Sequence, residues 1–124
     1  MKRFMFSVVA VASLLAAAAA RAQDPVKVDP NHYKVVFEND AVRVLRIHYG
    51  PGEKSVMHHH PQSVAVFLHD QTAKFTFPDG KTEVITVKGG DANVSPAGGH
   101  LPENIGDAPI DLVLVELKGK AAGM

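Results

Sequence analysis

The sequence predicts an all-β protein, a small antiparallel β-barrel preceded by a signal peptide, and three observations carry that prediction. Short runs of β-branched and aromatic residues recur about every 8 to 12 residues between Gly, Pro, Asn and Asp turn signals. In the clearest of these runs, polar and apolar residues alternate with the period of a half-buried strand. Beyond residue 22, no segment repeats apolar residues at helical spacing over three turns, and there is no solenoid-type repeat.

Residues 1–22 stand apart. Lys2 and Arg3 precede 17 uncharged residues from Phe4 to Ala20, and Ala20-Arg21-Ala22 follows as a small-x-small pattern. A charged start, apolar middle and small-residue end define a secretory signal, so cleavage is expected after Ala22. The apolar run is shorter than the ~20 residues that span a bilayer comfortably. The expectation is therefore a periplasmic or secreted protein without membrane attachment once cleaved. Residues 23–124 are 102 residues with ten Lys or Arg against 13 Asp or Glu, a net charge of −3. Without a basic cluster, nucleic acid and anionic lipid are set aside as partners. The absence of cysteine excludes disulfides, thiolate metal sites and a Cys nucleophile. Chemistry must come from His, carboxylates, hydroxyls or amides, in one domain large enough to build its own core.

Residues 23–32, with Pro25 and Pro30, read as an irregular arm, residues 33–118 as the barrel domain and residues 119–124 as a tail. Tyr33 to Phe37 and Val42 to Tyr49 read as strands around an Asn39-Asp40 turn, and Gly50-Pro51-Gly52 stops the second. Val64 to Leu68 is a further apolar run. Ala73 to Phe77 and Thr82 to Val87 form a hairpin across Pro78-Asp79-Gly80-Lys81, with Phe75 and Phe77 on one face and Lys74 and Thr76 on the other. Ala92 to Ser95 is a short strand, and Pro96 to Asp107 reads as a loop. Ile110 to Leu117, apolar on both faces apart from Asp111 and Glu116, predicts a central strand.

His58-His59-His60 opens onto the Val64 to Leu68 run. In an extended strand His58 and His60 share one face, so both imidazoles can reach one ion, while His59 points away or supports from behind. Continuing that parity past Pro61 places Gln62, Val64, Val66 and Leu68 on the ligand face. Gln62 is a candidate fourth contact. Further on, His100 supplies a third imidazole, followed by Glu103, a weak candidate for a catalytic base, and Asn104, whose type more often shapes a turn. His48 is expected on a solvated sheet face, and His32 and His69 sit at strand ends.

The chain resembles the cupin family, small jelly-roll barrels with two motifs. The first is a Gly, five residues, His-x-His, three or four residues and Glu; the second is a Gly, five residues, Pro-x-Gly, two residues, His, three residues and Asn. Gly52 with His58-His59-His60 matches the first, and Gly90, Pro96, Gly98, His100 and Asn104 match the second. Two departures stand out. Val64 or Ala65 occupies the place of the family's Glu, and one residue rather than two separates Gly98 from His100.

The resemblance implies a jelly-roll fold, a small-molecule ligand or substrate, and dimerisation through a sheet face. It also implies a divalent transition metal on His58, His60 and His100. Imidazoles suit Fe, Zn, Cu, Ni or Co, with Mn open, and are poor for Mg or Ca. Losing the carboxylate makes the site more positive and favours an anionic, chelating substrate. Three-His cupins that cleave diketones and thiols use ferrous iron, so the resemblance favours Fe(II) and an O₂-dependent dioxygenase reaction. A non-catalytic metal or ligand carrier, or a metal-free structural barrel, are the alternatives.

Overall fold

A computed structural model describes residues 23–119. Residues 1–22, which carry the signal-peptide expectation, and 120–124 of the expected tail lie outside the described residues. The elements run α1 (Pro25–Val28), β1 (Tyr33–Glu38), β2 (Val42–Tyr49), β3 (His58–His60), β4 (Ser63–Phe67), β5 (Gln71–Thr76), β6 (Thr82–Val87), β7 (Ala92–Ser95), β8 (Gly98–Asn104) and β9 (Ile110–Leu117). They form two antiparallel sheets, one ordered β1-β2-β9-β4-β7 and the other β3-β8-β5-β6. This is the jelly-roll arrangement expected.

Local chemistry explains the elements. In the β1–β2 turn Asn39 Oδ1 accepts the N–H groups of Ala41 and Val42 at 2.8 and 2.9 Å, so the side chain substitutes for missing backbone partners. The β5–β6 hairpin turns through Asp79, which accepts the Lys81 N–H at 2.9 Å, and through Gly80 at φ +87°, a conformation glycine adopts without steric cost. β9 pairs with β2 on one side and β4 on the other, the central place its two apolar faces predicted. Leu45, Ile47 and Tyr49 of β2 pack with Ile110 and Leu114 of β9, Tyr33, Ala65 and Ala73 as the core between the sheets.

Two segments differ from the sequence reading. The arm contains one helical turn, α1, because Asp24 caps it by accepting the Val26 N–H and Pro25 supplies a φ already suited to the first position. The Pro96 to Asp107 segment is mostly strand: β8 pairs with both β3 and β5. Its Gly and Pro content disguised it, since strand formation follows cross-strand packing more than intrinsic preference. A Cβ at Gly99 would lie 3.2 Å from Pro78 Cγ, a tight contact that Pro78 would have to move slightly to relieve.

Candidate metal centre

Strand parity places the first two imidazoles as expected. His58 and His60 are buried on one face of β3, and His58 stands directly opposite His100 in the antiparallel β3–β8 register. The shortened Gly98-to-His100 spacing leaves His100 facing the other two, and one ligand atom from each of the three lies within 4.8 Å of the others.

Hydrogen bonds fix which nitrogens face inward. His58 Nδ1 donates to the Val56 carbonyl at 2.8 Å, and His60 Nδ1 donates to Glu116 Oε2 at 2.7 Å. The two Nε2 atoms are 3.0 Å apart. Two bare lone pairs repel at that distance, so one proton or one cation must reconcile them. His100 Nε2 is buried with no hydrogen-bond partner, a rare and costly state for an imidazole nitrogen. Three convergent nitrogens, one of them orphaned, fit a transition-metal ion.

The centre is braced from behind. Glu116 Oε1 accepts from Arg43 Nε at 2.6 Å, and Arg43 in turn grips both oxygens of Asp24 at 2.9 and 3.0 Å. Burial alone would raise the Glu116 carboxyl, but hydrogen bonds from His60 and Arg43 outweigh it and hold it below the ordinary glutamate value. Glu116 thus stays anionic and locks the His60 tautomer, as carboxylates behind metal-binding histidines do. On the other side, Tyr33 donates its hydroxyl proton to His58 Nε2 at 3.0 Å and lies 2.5 Å from the Tyr49 hydroxyl. Burial, then the neighbouring Tyr49, raises Tyr33 well above its usual value, so it keeps its proton.

Burial and the neighbouring imidazoles lower His58 to about 4 and His100 to about 3. In the unfolded chain both would take up protons near 6.5. Between those values the unfolded state binds more protons, so stability must fall as pH drops from about 6.5. The metal-free protein is expected to lose on the order of 5 kcal/mol between pH 7 and pH 4. Thermal melts of chelator-treated protein check this; a midpoint that stays level across the range contradicts neutral burial of the two histidines.

The remaining expectations fare differently. His59 is half-buried on the opposite side of β3, its N–H donating to the Gln23 carbonyl at 2.9 Å. The parity argument breaks at Pro61. β3 and β4 belong to different sheets, so the chain turns between them and the alternation restarts. Ser63, Ala65 and Phe67 face the interior cavity, whereas Val64 and Gln62 do not line it. Gln62 instead gives its carbonyl to the Leu117 N–H.

Asn104 is buried but shapes the following loop, donating to the Tyr49 and Ala108 carbonyls and accepting from the Gly106 N–H. Glu103 lies off the cavity, its backbone paired with that of Lys54, and so is not placed as a catalytic base. His48 is exposed as expected. His32 stacks on Tyr49 and bonds Asp29, and His69 lies 3.5 Å from Asp111.

Sequence reasoning did not single out Glu116, Arg43, Tyr33 or Tyr49. Glu116 left one signal, a carboxylate in a strand otherwise apolar on both faces.

His60 and His100 stand at the wall of a cavity of about 490 Å³ between the sheets. Its lining is mainly aromatic and aliphatic and includes Phe67, Phe75, Phe77, Ile85, Leu112 and Leu114. Fold and site together define a small jelly-roll barrel with a three-histidine centre positioned to hold a metal.

No protein-family model and no curated protein matches the sequence. Solved structures do match. A cupin domain from Bordetella pertussis Tohama I superposes with a TM-score of 0.65 at 24% identity, over 70% of this chain and 92% of that one. A conserved protein with a double-stranded β-helix domain from Klebsiella pneumoniae gives 0.57 at 28% identity, over 72% and 77%. An RmlC-like cupin from Methanocaldococcus jannaschii gives 0.58 at 16% identity, over 74% and 84%. The chain has the double-stranded β-helix fold of these cupin structures.

Proposed function

We propose that this cupin is an exported, Fe(II)-dependent dioxygenase of a small chelating substrate, with His58, His60 and His100 as the iron ligands. The observation that carries the reading is the convergence of three imidazoles, two buried and one half-buried with an unpartnered Nε2, beside a largely apolar cavity. Ferrous iron, when bound, would supply the one-electron steps that let O₂ react with an organic molecule.

The chain's own residues do the rest. With no carboxylate among the ligands, the neutral imidazoles leave the ion's charge uncompensated, which attracts an anionic chelator. Glu116 fixes His60 in the tautomer whose Nε2 lone pair faces the site. Tyr33, kept protonated and reaching His58 Nε2, can turn its O–H toward a substrate oxygen. Phe75, its ring 5.1 Å from that of His100, and the apolar wall exclude water and orient the substrate.

Protein reconstituted with ferrous iron under air is expected to consume O₂ with a member of a panel of diketones, thiols and catechols. Metal-dependent thermal stabilisation with no oxygen uptake across the panel would replace the enzyme with a binding module. Export is tested separately, by finding the mature chain beginning at Gln23 in the periplasmic fraction or the medium.

A further inference from the structure

The cavity wall carries almost no charge. Its lining contains no Lys and no Arg, and its one acidic residue is Glu83, an exposed residue on the same face of β6 as Ile85 and Val87. Its other polar side chains are neutral, and several are bonded within the protein. Ser63 Oγ donates to the Pro61 carbonyl at 2.7 Å, Gln71 Oε1 accepts the Asp111 N–H at 3.0 Å, and the Tyr33 and Tyr49 hydroxyls bond each other. Among the described residues, the buried polar atom without a partner is His100 Nε2, at the metal centre.

We propose that the ligand of this site carries one chelating, anionic head and an otherwise uncharged, apolar body. The inference rests on the metal reading above, because the head is held at the three histidines. The body fills the space between Phe67, Phe75, Phe77, Ile85 and Leu112, a volume within the range of small-molecule sites. A second carboxylate or a phosphate on that body is excluded for two reasons. It would lose much of its hydration with no cation in the wall to pair with. It would also approach Glu83, a like charge. The site therefore separates apolar monoanions from dicarboxylates, sugar phosphates and similar doubly charged metabolites.

The test uses cobalt(II)-loaded protein and its visible absorption, which reports both metal uptake and a ligand reaching the metal. Two probes share the same 2-oxo-acid head: 2-oxo-4-phenylbutanoate, with an apolar body, and 2-oxoglutarate, with a second carboxylate. The phenyl compound is expected to bind roughly a hundredfold more tightly, the discrimination a buried unpaired charge imposes. Ile85→Arg places a cation in the half-buried wall of β6 and is expected to narrow that gap by tightening 2-oxoglutarate, with cobalt stoichiometry unchanged. Glu83→Gln, at an exposed position, is expected to shift the ratio the same way by a smaller factor and keeps the comparison open if the arginine variant does not fold.

If cobalt binds and the two acids bind equally, or neither perturbs the spectrum, the ligand class proposed here is wrong while the metal site stands. If cobalt is not taken up, the metal reading fails and this inference falls with it.

Discussion

Replacing His58 and His60 together by alanine is expected to abolish metal uptake, with elemental analysis falling from about one ion per chain to background. A three-ligand site reduced to His100 alone keeps neither the charge density nor the chelate geometry that fixes an ion. Each single substitution, His58→Ala, His60→Ala or His100→Ala, is expected to weaken binding by on the order of a hundredfold or more, since even supporting residues behind a metal ligand contribute ~10–100-fold. His59→Ala is the internal control. Its side chain leaves β3 on the other side, so the variant should retain wild-type metal content. Equal, near-zero metal in every protein would remove the site altogether, and loss of metal in the His59 variant would overturn the strand register.

Glu116→Ala is expected to be the most destabilising single change in the barrel. The carboxylate is buried and bonds both Arg43 and His60. Removing one partner of a buried ionic pair leaves the other charge uncompensated, at a cost of roughly 3–5 kcal/mol. In a domain of this size that lowers the melting temperature by about 12–40 °C. Arg43 keeps Asp24 as a second partner, which places the expected loss toward the lower end.

Glu116→Gln separates two roles. Its amide oxygen can still accept from His60 Nδ1, so fold and tautomer should be better preserved, while the lost negative charge lowers the basicity of the ligand. Urea unfolding of metal-free protein reads the stability and a metal titration reads the affinity, for which a ~10–100-fold loss is expected with alanine. A stability change below about 1 kcal/mol for Glu116→Ala would mean that the carboxylate is effectively solvated.

Much of the fold was readable because strand signals are local. The hairpin of Phe75 and Phe77 against Thr82 to Val87 follows from alternation and a Pro-Asp-Gly turn, and the central place of β9 follows from apolar residues on both faces. β8 was not readable, because its Gly98, Gly99 and Pro102 are poor strand formers in isolation. They are held in place by β3 and β5, segments about 40 and 30 residues earlier in the chain.

The centre divides along the same line. A period of two within three adjacent residues sufficed to set His58 and His60 apart from His59. The same period carried past Pro61 misplaced Val64 and Gln62, because a parity argument holds only while the chain stays in one sheet.

The sequence by itself determined which histidines could serve as ligands, the absence of a carboxylate among them and the absence of any thiol chemistry, since these depend on residue identity and short-range geometry. Only the tertiary structure decided what stands behind and beside the histidines. Register pairs Arg43 of β2 with Glu116 of β9, and folding brings that pair to His60 and Tyr33 to His58. These contacts span 25 to 73 residues of sequence, and the closing of two sheets on each other, not any local preference, creates them.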